Sequence, residues 1–480
     1  MKPTLVLDSI DTYKESSLGH LKYKLKDFFE NHSEIEVENM LDCIEDMNAY
    51  ENLGHLKPLS QEHVIILDED RLETSAAEKA VLDGEVFWEH AAAGEATRLG
   101  LGTKYMIFLN EMSTDRIMEL RRDEIEKDFA NDPEKKKKAL AELTRDKLKE
   151  QMGCEPEETM PISLGVRHML QIAFDIRKLA KKHGQDPHQV QKRQHMLVVM
   201  NESTGDKIAD EWAKYNHFGF DPGKILFMIQ KSFQGIDVKK GQPFYDESHD
   251  AHKRLHNHGQ MVMQKTHDDE IFRIVEGKRR YLKSHEFEQI LSTKKDMISY
   301  NIEDINYLTG SIDWHSLALA LELGSQGYGM AMEIVAQNPL KPQKGGAAFF
   351  DEKKGRPVMI ESNQLKGIKN EEIQHLNKNF NHYPNPSKAF KAVKEGMLDL
   401  HTCIKKAKDK DGNDKQYLYF CTPQGDINFL VKTAYVMRKE LKPIANWKSP
   451  ATTPPTVRAC WEQDRQPGFK EFAEKVLGKI

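Results

Sequence analysis

Apolar positions fall into two kinds of run along the chain. Short unbroken runs at Val86–Trp88, Leu197–Met200, Lys224–Ile229 and Met297–Tyr300 are bounded by small or polar residues and read as strands. Between them apolar residues recur at helical spacing. Met169, Ile172, Ile176 and Leu179 share one side of a helix predicted over Pro161–Lys182. Further helices are predicted over Asp206–Tyr215, Glu286–Leu291 and Trp314–Leu323, and a strand over Gly329–Val335. Strands separated by helices predict a parallel α/β sheet. In such sheets ligands sit at the carboxyl ends of the strands, and Gly94, Asn201 and Gln230 fall there.

The flanks read differently. Residues 1–84 are predicted as a helical N-terminal region, with Tyr23, Leu25, Phe28 and Phe29, then Leu41, Ile44 and Met47, at helix-like intervals. The main domain spans 85–400. It carries a charged helical insertion at 111–158, where Asn131-Asp132-Pro133 marks a helix start. A hairpin is predicted at Ala347–Phe350 and Val358–Ile360. Asn381–Pro386 reads as a turn-rich loop and Ala389–His401 as a helix. In the C-terminal region, 401–480, Lys405–Lys415 reads as a charged surface loop and Trp447–Pro455 as a surface crossing.

Composition narrows the function classes. Hydrophobic residues at 39% and charged residues at 30% of 480 are those of a soluble globular protein. A net charge of −6 argues against general nucleic-acid binding, and no apolar run reaches membrane-spanning length. The five cysteines are widely spaced without a C-x-x-C pair, which disfavours a disulfide framework and points to a reducing, cytoplasmic compartment.

Candidate chemistry begins in the loop after Val86–Ala91. Gly94, Gly100 and Gly102 allow close approach of backbone N–H groups to a phosphate, and Arg98 and Lys104 supply charge. His249, His252, His256 and His258 have an H-x-x-H-x-x-x-H beginning, yet Lys253, Arg254 and the Asn-His-Gly turn make a metal-binding helix a poor fit. The turn at His256–Gln260 presents ring donors suited to anionic or carbonyl oxygen. Glu303 and Asp304 follow a strand end, where acidic groups hold Mg²⁺ against phosphates; a helix cap by Asp304 accounts for them equally well.

Six segments in order resemble the nucleotidyltransferases that make UDP-sugars, over about residues 86–464. Ala92-Ala93-Gly94-Glu95-Ala96-Thr97-Arg98-Leu99-Gly100 with Lys104 resembles their glycine loop. Met200-Asn201-Glu202-Ser203-Thr204, with Phe218-Gly219 and Gln230, resembles the second motif, and His256–Gln260 the third. Glu303-Asp304-Ile305-Asn306, then Gly345-Gly346 with Glu361-Ser362-Asn363-Gln364-Leu365, and finally Arg458–Asp464 complete the series. The last matches point to the UDP-sugar pyrophosphorylase branch. The chain carries Ala93 and Ala96 where that family has glycine, Thr103 where it has Pro or Ile, and Gln260 where it has an acid.

The resemblance implies a GT-A-like Rossmann-type mixed α/β sheet flanked by helices. It also implies the reaction UTP + sugar 1-phosphate ⇌ UDP-sugar + pyrophosphate, with Mg²⁺. By the same resemblance Arg98 and Lys104 are catalytic, holding the triphosphate, and Asp304 ligates the metal. Ala93, Gly94, Thr97, Gln230 and Gly259 contact the nucleotide. His258, Lys344, Glu361 and Asn363 bind the sugar phosphate, with Lys432 or Lys470 as candidates for a second phosphate-binding lysine. The altered loop also motivates a second reading, a nucleotide- or sugar-phosphate-binding regulatory protein on the same fold.

Overall fold

The structure is a computed structural model that describes residues 44–46, 48–94, 101–238, 243–247, 250–255, 258–337, 345–440 and 446–478. Its frame is a mixed sheet built on ten strands: β1 (Ile65–Leu67), β2 (Val86–Ala91), β3 (His195–Asn201), β4 (Ile225–Gln230), β5 (Ile271–Val275), β6 (Lys278–Tyr281), β7 (Asp296–Asn301), β8 (Met330–Ala336), β9 (His375–Pro384) and β10 (Thr433–Arg438). They lie side by side in the order β6-β5-β4-β3-β2-β7-β9-β8-β10-β1. The central strands β4, β3, β2 and β7 are parallel. Antiparallel pairing enters through β5 and β9.

The apolar runs are continuous because both faces of the sheet are covered. In β2, Val86 and Trp88 enter one core and Phe87 the other. In β3, Met196, Val198 and Met200 face the first core, and Leu197 and Val199 the second. The helix Leu164–Lys182 closes the first face, burying Met169, Ile172, Ile176 and Leu179 as its spacing predicts. Ser163 caps it by accepting from the Val166 N–H. The charged insertion forms three helices, Thr114–Asp128, Pro133–Glu142 and Arg145–Met152, and Asp132 caps the second ahead of Pro133.

Five segments depart from the sequence expectations. Leu56–Pro58 and Ile65–Leu67 are short strands within the region read as helical; they pair with Ala347–Asp351 and β10. Tyr23, Leu25, Phe28, Phe29, Leu41 and Met47 lie outside the described residues. Asn381–Pro384 is the end of β9, set between β7 and β8, because strand partners from distant sequence satisfy its backbone. The helix after it runs over Pro386–Gly396 only. Lys405–Lys408 and Asp414–Lys415 are paired strand, in a hairpin His401–Lys408 and Asp414–Cys421, so the charged loop shrinks to 409–413. Trp447 is fully buried rather than at the surface.

Candidate active site

The carboxyl ends of the central parallel strands come to one edge. Ala91 lies beside Asn301 and Val199, and Asn201 beside Gln230. Asn201 organises this edge. Its amide donates to the Ala93 carbonyl (3.3 Å) and the Thr103 hydroxyl (3.1 Å), and its carbonyl accepts from Ser203 and Thr204. The glycine loop is closed at its base, where the Lys104 N–H donates to the Gly94 carbonyl (3.0 Å). A Cβ on Gly94 would stand 3.2 Å from Ile302, so the loop base passes tightly over the end of β7. Thr97 and Arg98 belong to residues 95–100, outside the described residues, as does Lys344.

Over this edge opens a cleft of about 990 Å³. His258, Glu361 and Asn363, all sequence candidates, line it together with Asn301, Cys403, Lys405, Tyr419 and Lys448. Glu361 follows the hairpin Ala347–Asp351/Arg356–Ile360, and its carboxyl pKa is raised by burial and by Asp426 nearby. His258 begins the helix His258–Gln264 instead of standing in an open turn. Desolvation lowers its pKa below the usual histidine value, against the opposing charge of Glu303.

Asp304 and Gly259 sit one contact behind the cleft wall, and Lys104 sits two behind it, through Glu303 and Lys448. The Lys104 ammonium meets Glu303 at 2.8 Å, and the other oxygen of Glu303 meets Lys448 at 2.9 Å. Burial alone would raise the Glu303 pKa; the two ammonium groups more than offset this and hold it below the usual range. The Asp304 carboxylate accepts from the Asn301 N–H (3.1 Å). Burial first, then the Glu303 charge, push its pKa up to about 7. Gly259 donates its N–H to the Thr422 carbonyl (2.8 Å), and a Cβ there would fall 2.2 Å from that oxygen. The glycine is thus required by the approach of two backbones. Ala93 and Gln230 stay at the strand edge through Asn201 and do not line the cleft.

No protein-family model matches the chain, and a comparison with curated proteins finds no match. Solved structures do match. UDP-N-acetylglucosamine pyrophosphorylase from Trypanosoma brucei, in complex with inhibitor, superposes with a TM-score of 0.56 at 14% identity, over 84% of this chain and 72% of that one. A UDP-glucose pyrophosphorylase mutant from Leishmania major gives 0.56 at 12% identity, over 94% and 77%. UDP-glucose phosphorylase from Trypanosoma brucei gives 0.54 at 11% identity, over 90% and 74%. The chain has a UDP-sugar pyrophosphorylase fold.

On that fold the structure brings forward Lys448, which the sequence reading passed over. The buried Trp447 holds it in place by donating its N–H to the Glu303 carbonyl (2.8 Å) and its indole N–H to Thr453 (3.0 Å). Lys432 lies instead over the Tyr328 ring (3.9 Å), and Lys470 is exposed on the helix Phe469–Leu477; neither lines the cleft. A lone lysine after a buried tryptophan carries no periodic signal. The Arg458–Asp464 segment also has a structural task. Asp464 pairs with the buried Arg167 (2.6 Å), and Gln463 bonds Arg167 and Gln171, docking the C-terminal helix Thr453–Asp464 on Leu164–Lys182. Among the described residues no three His, Cys, Asp or Glu side chains converge as a metal cluster, and no helix is long and apolar enough to cross a membrane.

Proposed function

We propose that the chain is a nucleotidyltransferase that joins UTP to a sugar 1-phosphate and releases pyrophosphate. The observation that carries this reading is Lys448 on the cleft wall, joined through Glu303 to the buried Lys104 behind it. The cleft's other wall carries sugar-type hydrogen-bonding groups, Glu361 and Asn363.

In the reaction an oxygen of the sugar phosphate attacks the α-phosphorus of UTP, and the bond to the β-phosphate oxygen breaks as pyrophosphate leaves. Little proton transfer is needed, so positioning and charge neutralisation carry the rate. Arg98, Lys104 and Lys448 hold the triphosphate and balance charge on the departing pyrophosphate. Gly94 and Thr97 frame the nucleotide, with Ala93 and Gln230 shaping the strand edge beneath it and Gly259 letting the wall backbone at Thr422 approach. His258 donates a ring N–H to the sugar phosphate, Lys344 adds charge there, and Glu361 and Asn363 bind sugar hydroxyls. Asp304 would hold Mg²⁺: its carboxyl, pushed up to about 7 by burial and by the Glu303 charge beside it, offers the oxygen donors that the hard cation prefers. The cation would neutralise phosphate charge. The wide spacing of the five cysteines in sequence, without a C-x-x-C pair, supports a reducing, cytoplasmic setting.

One observation favours the second reading, a binding protein without turnover: Glu303 already engages both lysines. The test supplies UTP, Mg²⁺ and a panel of sugar 1-phosphates and measures pyrophosphate. Release with at least one sugar is expected. Nucleotide binding without release from any pair would replace the enzyme with the binding protein.

A further inference from the structure

The cleft wall contributed by the hairpin His401–Lys408/Asp414–Cys421 holds two thiols. Cys403 stands opposite Tyr419, and Cys421 opposite His401, so the two cysteines are diagonal neighbours on one face of the hairpin. Their sulfurs are 4.0 Å apart, and both line the cleft, half-buried. Cys154 and Cys460 are buried, away from this wall.

The surroundings of the two sulfurs differ. Asn363 donates its amide N–H to the Cys403 sulfur (3.4 Å), and the Lys405 ammonium lies over the neighbouring Tyr419 ring (4.5 Å). The hydrogen bond from Cys421, then that from Asn363 and the charges of Lys405 and His401, bring the Cys403 thiol down to about 7 against the opposing effect of burial. Cys421, which shares its proton with Cys403 and is desolvated, is pushed up. The amide N–H of Asn363 stabilises a thiolate at Cys403, which makes that sulfur the better placed nucleophile of the two.

We propose that Cys403 and Cys421 form a dithiol site that reacts with low-molecular-weight disulfides and closes to an intramolecular bond in the cleft wall. The Cys403 thiolate attacks one sulfur of the small disulfide, that S–S bond breaks, and one small thiolate leaves and takes up a proton. Cys421 then gives up its proton and attacks the Cys403 sulfur of the mixed disulfide, expelling the second small thiol. The protein loses two electrons and two protons, and the small disulfide gains them as two thiols. The gap of 4.0 Å must shorten to about 2.05 Å, which rotation of both side chains and tightening of the hairpin supply. Closure engages the sulfur that accepts from Asn363. Closure thereby removes a partner of Asn363 and alters its presentation to a sugar, a consequence that rests on the function proposed above; the thiol chemistry does not.

The test uses the full-length protein with cystamine, followed by alkylation of remaining thiols, intact mass and peptide mapping. Wild type is expected to lose two alkylatable thiols with no cystamine fragment retained, and to yield a peptide linking Cys403 to Cys421. Cys421→Ser is expected to keep one cystamine half on Cys403. Cys403→Ser is expected to label Cys421 at least about tenfold more slowly than Cys403 labels in Cys421→Ser. Unreacted thiols in wild type, a retained adduct, or a link to another cysteine overturns the proposal, as does equal labelling of the two variants. The wild-type map decides even where a variant fails to fold. None of these readouts needs turnover, so their failure and that of the proposed reaction are told apart.

Discussion

Lys104, Glu303 and Lys448 form the chemical centre of the candidate site, and each depends on the others. Lys104 is nearly buried, so its charge needs a counter-ion. Glu303→Gln is expected to cost about 3–5 kcal/mol in denaturant unfolding, the scale for removing one partner of a buried pair. Inorganic pyrophosphate should then raise the melting temperature of the variant more than that of wild type, because an anion takes the place of the carboxylate. Equal shifts would show that the lysines do not face the anion. Lys448→Met is expected to lower turnover by about 10²–10³-fold, the scale for losing one preorganised charge-stabilising donor, with the fold retained by circular dichroism. Gly259 makes a separate point. Its Cβ would meet the Thr422 carbonyl at 2.2 Å, so Gly259→Ala should destabilise by about 1–3 kcal/mol. Sequence marks the glycine; only the facing backbone gives the reason.

At the scale of elements, the legible ones are those whose patterning is local. The helix Leu164–Lys182 and strands β2, β3, β4 and β7 carry unbroken or 3.6-period apolar runs, which a one-dimensional reading detects. The missed ones are strands whose stability comes from partners far along the chain. β9 joins two neighbours, and the hairpin His401–Lys408/Asp414–Cys421 is rich in lysine yet paired along its length. His401 anchors that hairpin through its Nε2 contact to Asp426 (2.7 Å). Burial alone would lower the His401 pKa; the hydrogen bond and charge of Asp426 outweigh it, and the net shift is upward. A raised folded pKa favours the protonated form, so this contribution is complete below the unfolded value of about 6.5 and fades as pH rises through the folded one. The stability gap between wild type and His401→Gln, measured in urea from pH 5 to pH 9 (about two units either side of neutrality), should be widest at the acid end. A gap that widens with pH would refute the pairing.

Across the whole molecule, residues far apart in sequence complete one wall. Trp447 links Glu303 to Thr453 and thereby presents Lys448, and Asp464 fastens the following helix through Arg167. Trp447→Ala is expected to cost about 3–5 kcal/mol by thermal or denaturant unfolding, as large-to-small core changes do. Asp464→Ala should cost a similar amount, since it strands a buried guanidinium. An Asp464 variant of wild-type stability would show that the docking of the C-terminal helix does not depend on the pair.

The sequence by itself determined the alternation of strands and helices, the parallel centre of the sheet, and the meeting of Gly94, Asn201 and Gln230 at the carboxyl ends of its strands, because these follow from local periodicity. Resemblance in short ordered motifs pointed to the pyrophosphorylase fold, which the solved structures share. Tertiary structure alone decided which charges meet. Glu303 between two lysines, Trp447 in the core and two cysteines across a hairpin are contacts over long sequence separations, with no periodic trace in the chain.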